Sequence, residues 1–307
     1  MTKEFLYGKK KINNHIRIPR SDRIYNTIVN IFLAIFFLII LIPLLNIVAS
    51  SFSNAQEVNA GNVYIWPIKP TLKGYEAVFN YQGIWRSYWN TIIYTVTGTC
   101  INIWMTMFCA YPFARKNLPM KKPLMWLFLF TMFFSGGMIP TYLNIRSLHM
   151  MNSIWALVLP GAISIYNMII ARTFIQNIPI DMEEAAKIDG CSDFYYFFRI
   201  VLPLSKTVIA VLSLYYAVAH WNSYMDAFLY LNDNDKMPLQ ITLRNILLLN
   251  AFLDEASMNE ETYLSNKALQ DLLKYSLIIV SSVPILCVYP FVKKYFLKGV
   301  MIGALKG

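Results

Sequence analysis

Few residues in this sequence have the types and spacing that catalysis requires. The three histidines, His15, His149 and His220, form no Ser-His-Asp or His-Glu arrangement suited to nucleophilic or metal-assisted chemistry. No glycine begins a G-x-x-x-x-G-K-S/T loop, so no motif cradles nucleotide phosphates. The four cysteines form no C-x-x-C pair and are expected to be structural thiols. We therefore predict a chain that is not an enzyme and binds no metal and no cofactor.

The segment 178–203 has residue types suited to docking against another surface. Asp181, followed three residues later by Glu184, predicts a capping box and a helix over about 182–189. Gly190 is expected to end this helix in the left-handed conformation, and Ser192 or Asp193 to cap a second helix. The segment is therefore predicted to form two short helices outside the membrane.

The second of these helices carries an apolar stripe at helical spacing and is expected to break at Pro203. The stripe consists of Phe194, Phe197, Phe198 and Val201. The short turns on the same side of the chain are too small to cover it, so it is expected to meet a partner protein or the membrane interface. Helix-in-groove docking at this position would transmit movement from a partner into the following span.

The elements that must position this segment are membrane-spanning helices. The chain is 57% hydrophobic and 14% charged, with a mean hydropathy of +0.44, which is too apolar for a soluble domain. Six long stretches lack Asp, Glu, Lys and Arg, and each is about the length that crosses a bilayer. We predict one all-α membrane domain over 24–292, with the fourth span interrupted at Pro160-Gly161. The six spans are expected at about 24–50, 87–114, 123–145, 152–172, 206–228 and 274–292.

The distribution of cations predicts the orientation. The segments 1–23, 112–122, 172–206 and 293–307 hold more than twice as many Lys and Arg residues as the opposite loops of similar total length. By the positive-inside rule, the basic tail at 1–23 and the tail at 293–307 are both cytoplasmic. The net charge of +10 is therefore explained by topology and indicates no nucleic-acid partner. The basic tail at 1–23 is expected to contact anionic membrane lipid. The acidic outer segment 229–274 either docks a soluble protein or is a solvated loop.

The spacing within 178–203 resembles the full EAA signature of ABC-importer permeases, a family with the type I importer fold. The matching positions are Glu184-Ala185-Ala186, Gly190, Ile200 and Leu202-Pro203. In that family this loop is the coupling helix seated in a cleft of the ATPase subunit. The resemblance implies that Glu184 makes the polar contact, that Ala185 and Ala186 allow close approach, and that Asp189-Gly190 forms the bend. We call residues 178–203 the coupling loop.

Further stretches resemble the second permease of carbohydrate importers, in particular the LplC type, which is associated with oligosaccharides and polysaccharide fragments. These stretches are 152–167, 220–224, 238–240 and 298–307. The resemblance covers about residues 20–307. It implies a second homologous permease, a dimeric ABC ATPase that uses ATP-Mg, an extracellular solute-binding protein, and a plasma (inner) membrane location. The C-terminal tail is expected to reach toward the ATPase.

Polar and aromatic residues within the spans are the candidates for sugar contacts, since sugars are held by aromatic faces and side-chain hydrogen bonds. The candidates are Asn167, His220, Trp221, Asn222, Tyr224 and Asp226. The alternative is that these residues hold helices together or anchor them at the interface.

Two other functions remain open at this stage. One is an ABC permease for amino acids or peptides on the same scaffold. The other is a self-sufficient secondary transporter, which would need paired acids, or inverted halves with interrupted helices, near the midplane. The spans are nearly devoid of acids, which favours the ATP-driven importer that moves a carbohydrate by alternating access.

Overall fold

The computed structural model describes residues 19–255, 272–290 and 293, and every regular element among them is helical. Most of the predicted N-terminal tail (1–18), the predicted C-terminal tail beyond 293, and residues 256–271 of the acidic outer segment lie outside the described residues. In chain order the helices are α1 (Arg20–Ser51), α2 (Ala55–Asn59), α3 (Lys73–Phe79), α4 (Ile84–Ala114), α5 (Lys121–Phe133), α6 (Met138–Ser147), α7 (Ile154–Val158), α8 (Ile165–Gln176), α9 (Ile180–Ile188), α10 (Asp193–Tyr196), α11 (Leu202–Leu204), α12 (Lys206–Trp221), α13 (Met225–Tyr230), α14 (Leu239–Glu255) and α15 (Leu272–Pro290).

Two short turns complete the helical path. A π-helical turn at Phe197–Val201 joins α10 to α11, so that residues 193–204 form one continuous helical segment. A 3-10 turn at Asn234–Lys236 precedes α14.

Three helices, α1, α4 and α15, are each long and apolar enough to cross a bilayer. Two bent helix pairs each meet the same criteria when taken together: α5 and α6 meet at 110°, and the segment 193–204 meets α12 at 78°. The predicted span at 152–172 consists of the short helices α7 and α8, which flank the predicted interruption at Pro160-Gly161. Helix length and composition in the described residues thus support up to five spans. The count of six and the cytoplasmic termini stay predictions.

Helix α4 lies at the centre of the bundle and packs along both α8 and α12. Met107 of α4 and Met168 of α8 are fully buried in this core. The Tyr216 hydroxyl of α12 shares a 2.7 Å hydrogen bond with Thr106 Oγ1 and accepts the Ser164 N–H at 3.2 Å. Because lipid offers no hydrogen-bond partners, these bonds hold the three helices in one arrangement.

At the end of the bundle that the predicted topology places outside, amide side chains tie the loop after α13 to the rest of the bundle. Asn152 has a φ of 57°, a conformation that asparagine tolerates better than most residues. Its Oδ1 accepts the N–H groups of Asn232 at 3.3 Å and Asp233 at 3.2 Å. Asn90 of α4 donates to the Asp235 carbonyl at 2.8 Å. This loop is therefore held in place by Asn90 and Asn152.

The loop between α1 and α4 also carries an ordered polar contact. Lys69 and Asn62 both donate hydrogen bonds to the Glu57 carboxylate, at 2.7 and 2.8 Å. The Lys69 hydrogen bond is the main cause that lowers the pKa of Glu57. This charged pair marks a water-exposed part of the loop between α1 and α4.

Helix α1 differs from the other spans because none of its most apolar window is buried. Its exposed side chains include Phe32, Phe36 and Phe37. Helix α5 likewise exposes Trp126 and Phe133, by 72% and 73%. In a bilayer such side chains contact lipid tails or the apolar surface of another chain.

Candidate functional site

The first helix of the coupling loop, α9, begins at Ile180 with Pro179 at its N-cap, and no side chain caps it. The predicted capping box of Asp181 and Glu184 is therefore wrong. Pro179 fixes its own φ at −55° and starts the helix two residues earlier than expected. Asp181 lies instead in the first turn, where the positive end of the helix dipole stabilises its carboxylate.

The turn that ends α9 is set by Gly190, whose φ of 73° confirms the predicted left-handed conformation. The Gly190 N–H donates to the Lys187 carbonyl at 3.0 Å and the Cys191 N–H to the Ala186 carbonyl at 2.9 Å. These two bonds make a Schellman motif. Ser192 then caps the second helix, as predicted, by accepting a backbone N–H from three residues on.

The two faces of α9 have different surroundings. Ala186 is 8% exposed and packs into the core of this chain. Glu184 and Ala185 are exposed, and Ile188 is 86% exposed. Asp189, at the C-cap, is also exposed. Of the two signature alanines, only Ala185 is available for close approach by another protein.

The aromatic stripe of the second helix divides between the inside and the outside of the chain. Phe197 and Val201 are 2% and 1% exposed, and the Phe197 ring lies 5.1 Å from that of Phe108 on α4. The expectation that the whole stripe needs an external cover is therefore wrong, because α4 extends far enough to cover half of it. Phe194 is 73% exposed and Phe198 43%, so these two rings remain for a partner or for lipid.

Arg115, at the C-cap of α4, links both helices of the coupling loop to the bundle. Its Nη2 lies 3.1 Å from Glu183 Oε1 on α9 and 2.7 Å from Asp193 Oδ1 on α10. Its guanidinium also lies over the rings of Tyr111 and Tyr196, at 5.2 and 5.9 Å. Because one cation contacts two acids on different helices, the loop and the end of α4 are expected to move together.

An open groove of about 800 Å³ runs between α9 and the second helix. Four signature positions, Ala185, Ala186, Gly190 and Ile200, line it together with Asp189. Leu202 packs against the core instead, and Pro203 is exposed on the last turn before α12. The signature thus divides into a surface part and a part that joins the loop to α12.

A second group of polar residues joins the spans near the interruption between α7 and α8. His220 Nε2 lies 2.6 Å from Asn102 Oδ1, and Asn102 Nδ2 donates to the Gly161 carbonyl at 2.5 Å. Asn102 is 1% exposed. Gly98 leaves the space for the His220 ring, since a Cβ there would lie 2.5 Å from Nε2. His220 therefore holds helices together in this conformation.

Three further candidates for sugar contacts are Trp221, Asn222 and Asn167. Trp221 is 7% exposed and its Nε1–H donates to the Ser281 carbonyl at 3.0 Å, which joins α12 to α15. Asn222 is exposed and bonds to the Val218 carbonyl of its own helix at 2.9 Å. Asn167 is 7% exposed on α8. Trp221 thus has the structural role that the sequence left as the alternative.

Tyr224 and Asp226 lie where the chain turns from α12 into α13. The Tyr224 ring stacks on that of Phe228, with centroids 5.9 Å apart and planes 12° apart. Asp226 is exposed and forms no ion pair with any residue in the described ranges. Of the six candidates, these two and Asn222 keep polar or aromatic groups available to a solute.

The family to which these features belong emerges from comparison with known proteins. The model of the family described as "Binding-protein-dependent transport system inner membrane component" matches residues 16–247. The chain belongs to this family. It is accordingly a multi-pass permease of the inner membrane, and the family membership expected from the EAA signature is confirmed.

Two named relatives of this permease come from Bacillus subtilis. The polygalacturonan/rhamnogalacturonan transport system permease protein YtcP is 42% identical over 287 residues, which cover 94% of this chain and 100% of YtcP. Protein LplC is 41% identical over 288 residues, which cover 94% of this chain and 97% of LplC.

A solved structure extends the similarity to the fold. It is a chain of a bacterial ABC transporter involved in the import of the acidic polysaccharide alginate. The match has a TM-score of 0.79 and 31% sequence identity, and covers 91% of this permease and 99% of that chain. The all-helical architecture is therefore that of an ABC importer permease.

Two functional residues of this permease were missed by sequence reasoning. The sequence shows Arg115 only as one of the cations in 112–122, although its acidic partners are 68 and 78 residues away. Asn102 is a polar residue inside a predicted span, and that alone was a usable signal, because such residues need a partner in the membrane.

Proposed function

We propose that this permease is one of two in an ATP-driven importer that carries an oligosaccharide across the plasma membrane by alternating access. The observation that supports this most is the outward face of α9, where Glu184, Ala185 and Ile188 are exposed on a helix that Arg115 ties to α4. An exposed helix face on a fixed base suits a groove on a second protein. The permease itself catalyses nothing, and a dimeric ATPase that uses ATP-Mg drives it.

The coupling loop would act as a lever between the ATPase and the spans. The segment 193–204 continues into α12 through a 78° bend at Ser205, while Arg115 joins the same loop to α4. A displacement of α9 is thus passed to the two most tightly packed helices of the bundle. Closure of the ATPase dimer would move this unit and open the path outward.

The other partners are inferred from exposed surfaces and from the relatives. The uncovered apolar sides of α1 and α5 suit a second, homologous permease in the membrane. An extracellular solute-binding protein would deliver the sugar to the outer surface, where the loop at 231–238 is fixed to α4. The relatives that transport polygalacturonan/rhamnogalacturonan or alginate favour fragments of polysaccharides as the cargo.

The proposal is tested by purifying the permease in mild detergent with whatever subunits accompany it, and then measuring uptake in liposomes. The chain is expected to copurify with a nucleotide-hydrolysing subunit, and the assembly to take up labelled oligosaccharides only with ATP and a loaded binding protein. The Ile188→Asp variant, which places a charge at the exposed end of α9, should no longer copurify with the ATPase. Asp22→Asn at the start of α1, far along the chain from the coupling loop, serves as the control.

Two outcomes would contradict the proposal. Uptake of amino acids or peptides, with no oligosaccharide uptake, would favour the alternative cargo class. Uptake by the purified chain alone under an ion gradient would identify a secondary transporter.

A further inference from the structure

We propose that Arg244, together with the rings of Tyr224 and Phe228, forms a subsite that binds the carboxylate of a uronate residue as an acidic oligosaccharide enters the path. This inference rests on the proposed function, because it names the class of sugar that the same importer carries. The substrates named for the relatives do not indicate which residues bind them. The structure brings these three side chains together.

The geometry of the cluster is that of a cation laid over two aromatic rings. The Arg244 guanidinium carbon lies 5.6 Å from the centroid of Tyr224 and 5.0 Å from that of Phe228. Phe228 is 49% exposed, and Arg244 and Tyr224 are half-buried. Across the described ranges of the chain, no carboxylate forms an ion pair with Arg244. The other arginines on the outer side include Arg86, which does pair with an acid, Asp235.

The chemistry of this arrangement suits a carboxylate that belongs to a sugar. A guanidinium held over aromatic rings by its charge keeps its in-plane N–H groups for a planar, two-oxygen acceptor. The exposed part of the Phe228 ring offers an apolar surface against which a sugar ring packs. A free phosphate or a neutral sugar would use only one of these two features.

The position of the cluster places it at the entrance of the path. Tyr224 and Phe228 flank the first turn of α13, directly after the break that ends α12 beside the His220 contact. Arg244 approaches them from α14, on the outer side of the membrane in the predicted topology. Asp226 is two residues from each ring, which puts it about 200° around the helix from both. Its negative charge therefore faces away from the subsite.

The test uses the complete assembly in liposomes, with two probes of equal length: labelled trigalacturonate and its methyl ester. Arg244→Gln should lower uptake of the acid about tenfold, the loss expected for a charge-assisted hydrogen bond, and leave uptake of the ester unchanged. Each rate is divided by the wild-type rate for the same probe, so the preference of the binding protein cancels. Arg244→Lys keeps the positive charge but loses the planar pair of N–H donors. Its uptake of the acid is expected to lie between those of the wild type and Arg244→Gln.

Arg146→Gln is the matched control, since Arg146 is an exposed arginine in the last turn of α6 on the same predicted side. It should change uptake of neither probe. Equal losses for acid and ester in Arg244→Gln would assign Arg244 a structural role and overturn the subsite. Wild-type uptake of the acid by this variant would overturn it as well. If the wild-type assembly moved no oligosaccharide at all, the proposed function would fail and the subsite with it.

Discussion

Replacing Arg115 by alanine is expected to detach the coupling loop from α4 without unfolding the bundle. Arg115 is 17% exposed and touches acids on both helices of the loop. The apolar core formed by α4, α8 and α12 does not depend on it. The variant should therefore insert and assemble, and lose the tie through which the loop moves α4.

The size of the effect follows from the contacts that are lost. The ion pair with Asp193, whose side chain is 71% exposed, is worth about 0.2–1 kcal/mol, as for other surface pairs. Glu183 is more sheltered at 23% exposed, but it keeps a second partner, Lys187, at 2.7 Å. Stacking over two tyrosines adds about 0.5–1 kcal/mol. The pair with Asp193 and the stacking together give about 0.7–2 kcal/mol, which makes the detached loop about threefold to thirtyfold more populated.

Hydrogen exchange and transport assays on the assembled importer measure this change. Amide exchange over 180–201 should accelerate in Arg115→Ala, and the ATP consumed per oligosaccharide should rise. Lys116→Ala removes a neighbouring exposed cation and serves as the control, with both quantities unchanged. If Arg115→Ala kept wild-type exchange over 180–201 and wild-type coupling, the linking role would be refuted.

Three other substitutions test separate parts of the account. Gly190→Ala forces a residue with a Cβ to a φ of 73°, at a cost of about 1–2 kcal/mol, and should raise ATP consumption per sugar, whereas Gly190→Asn, which tolerates this region better, should raise it less; equal coupling ratios would contradict this. Gly98→Ala places a Cβ 2.5 Å from the His220 ring and should lower the melting temperature of the complex, while Gly161→Ala, with nothing within 4 Å, should not. Phe194→Ser should weaken ATPase binding roughly tenfold and leave the melting temperature intact, because this ring is 73% exposed; unchanged ATPase binding would exclude it from the interface.

Local chemistry explains which parts of the coupling loop were predictable from sequence. Gly190 and Ser192 take the predicted roles because a left-handed turn and an N-cap depend on only a few neighbouring residues. The break near Pro160 follows in the same way from the missing backbone donor. The start of α9 was misplaced because two local signals competed, and Pro179 prevailed over the capping box of Asp181.

The remaining features depend on contacts between distant segments. Phe197 is buried because α4 lies beside it, and no pattern within 193–204 shows which ring of the stripe faces α4. Arg115 meets Asp193 across 78 residues of sequence. The cluster of Arg244 with Tyr224 likewise joins two helices whose approach is set by the fold. These residues form the contacts of the coupling loop and of the proposed subsite, and only the tertiary structure brings them together.

Cysteine crosslinking at α9 tests most directly whether this helix is the seat of a separate ATPase. In a background without the four native cysteines, Ile188→Cys, at a position 86% exposed, should crosslink to the nucleotide-hydrolysing subunit in the assembled importer. Ala186→Cys, on the buried face, should crosslink far less. Crosslinks from position 188 only to lipid or to another permease chain would contradict the account.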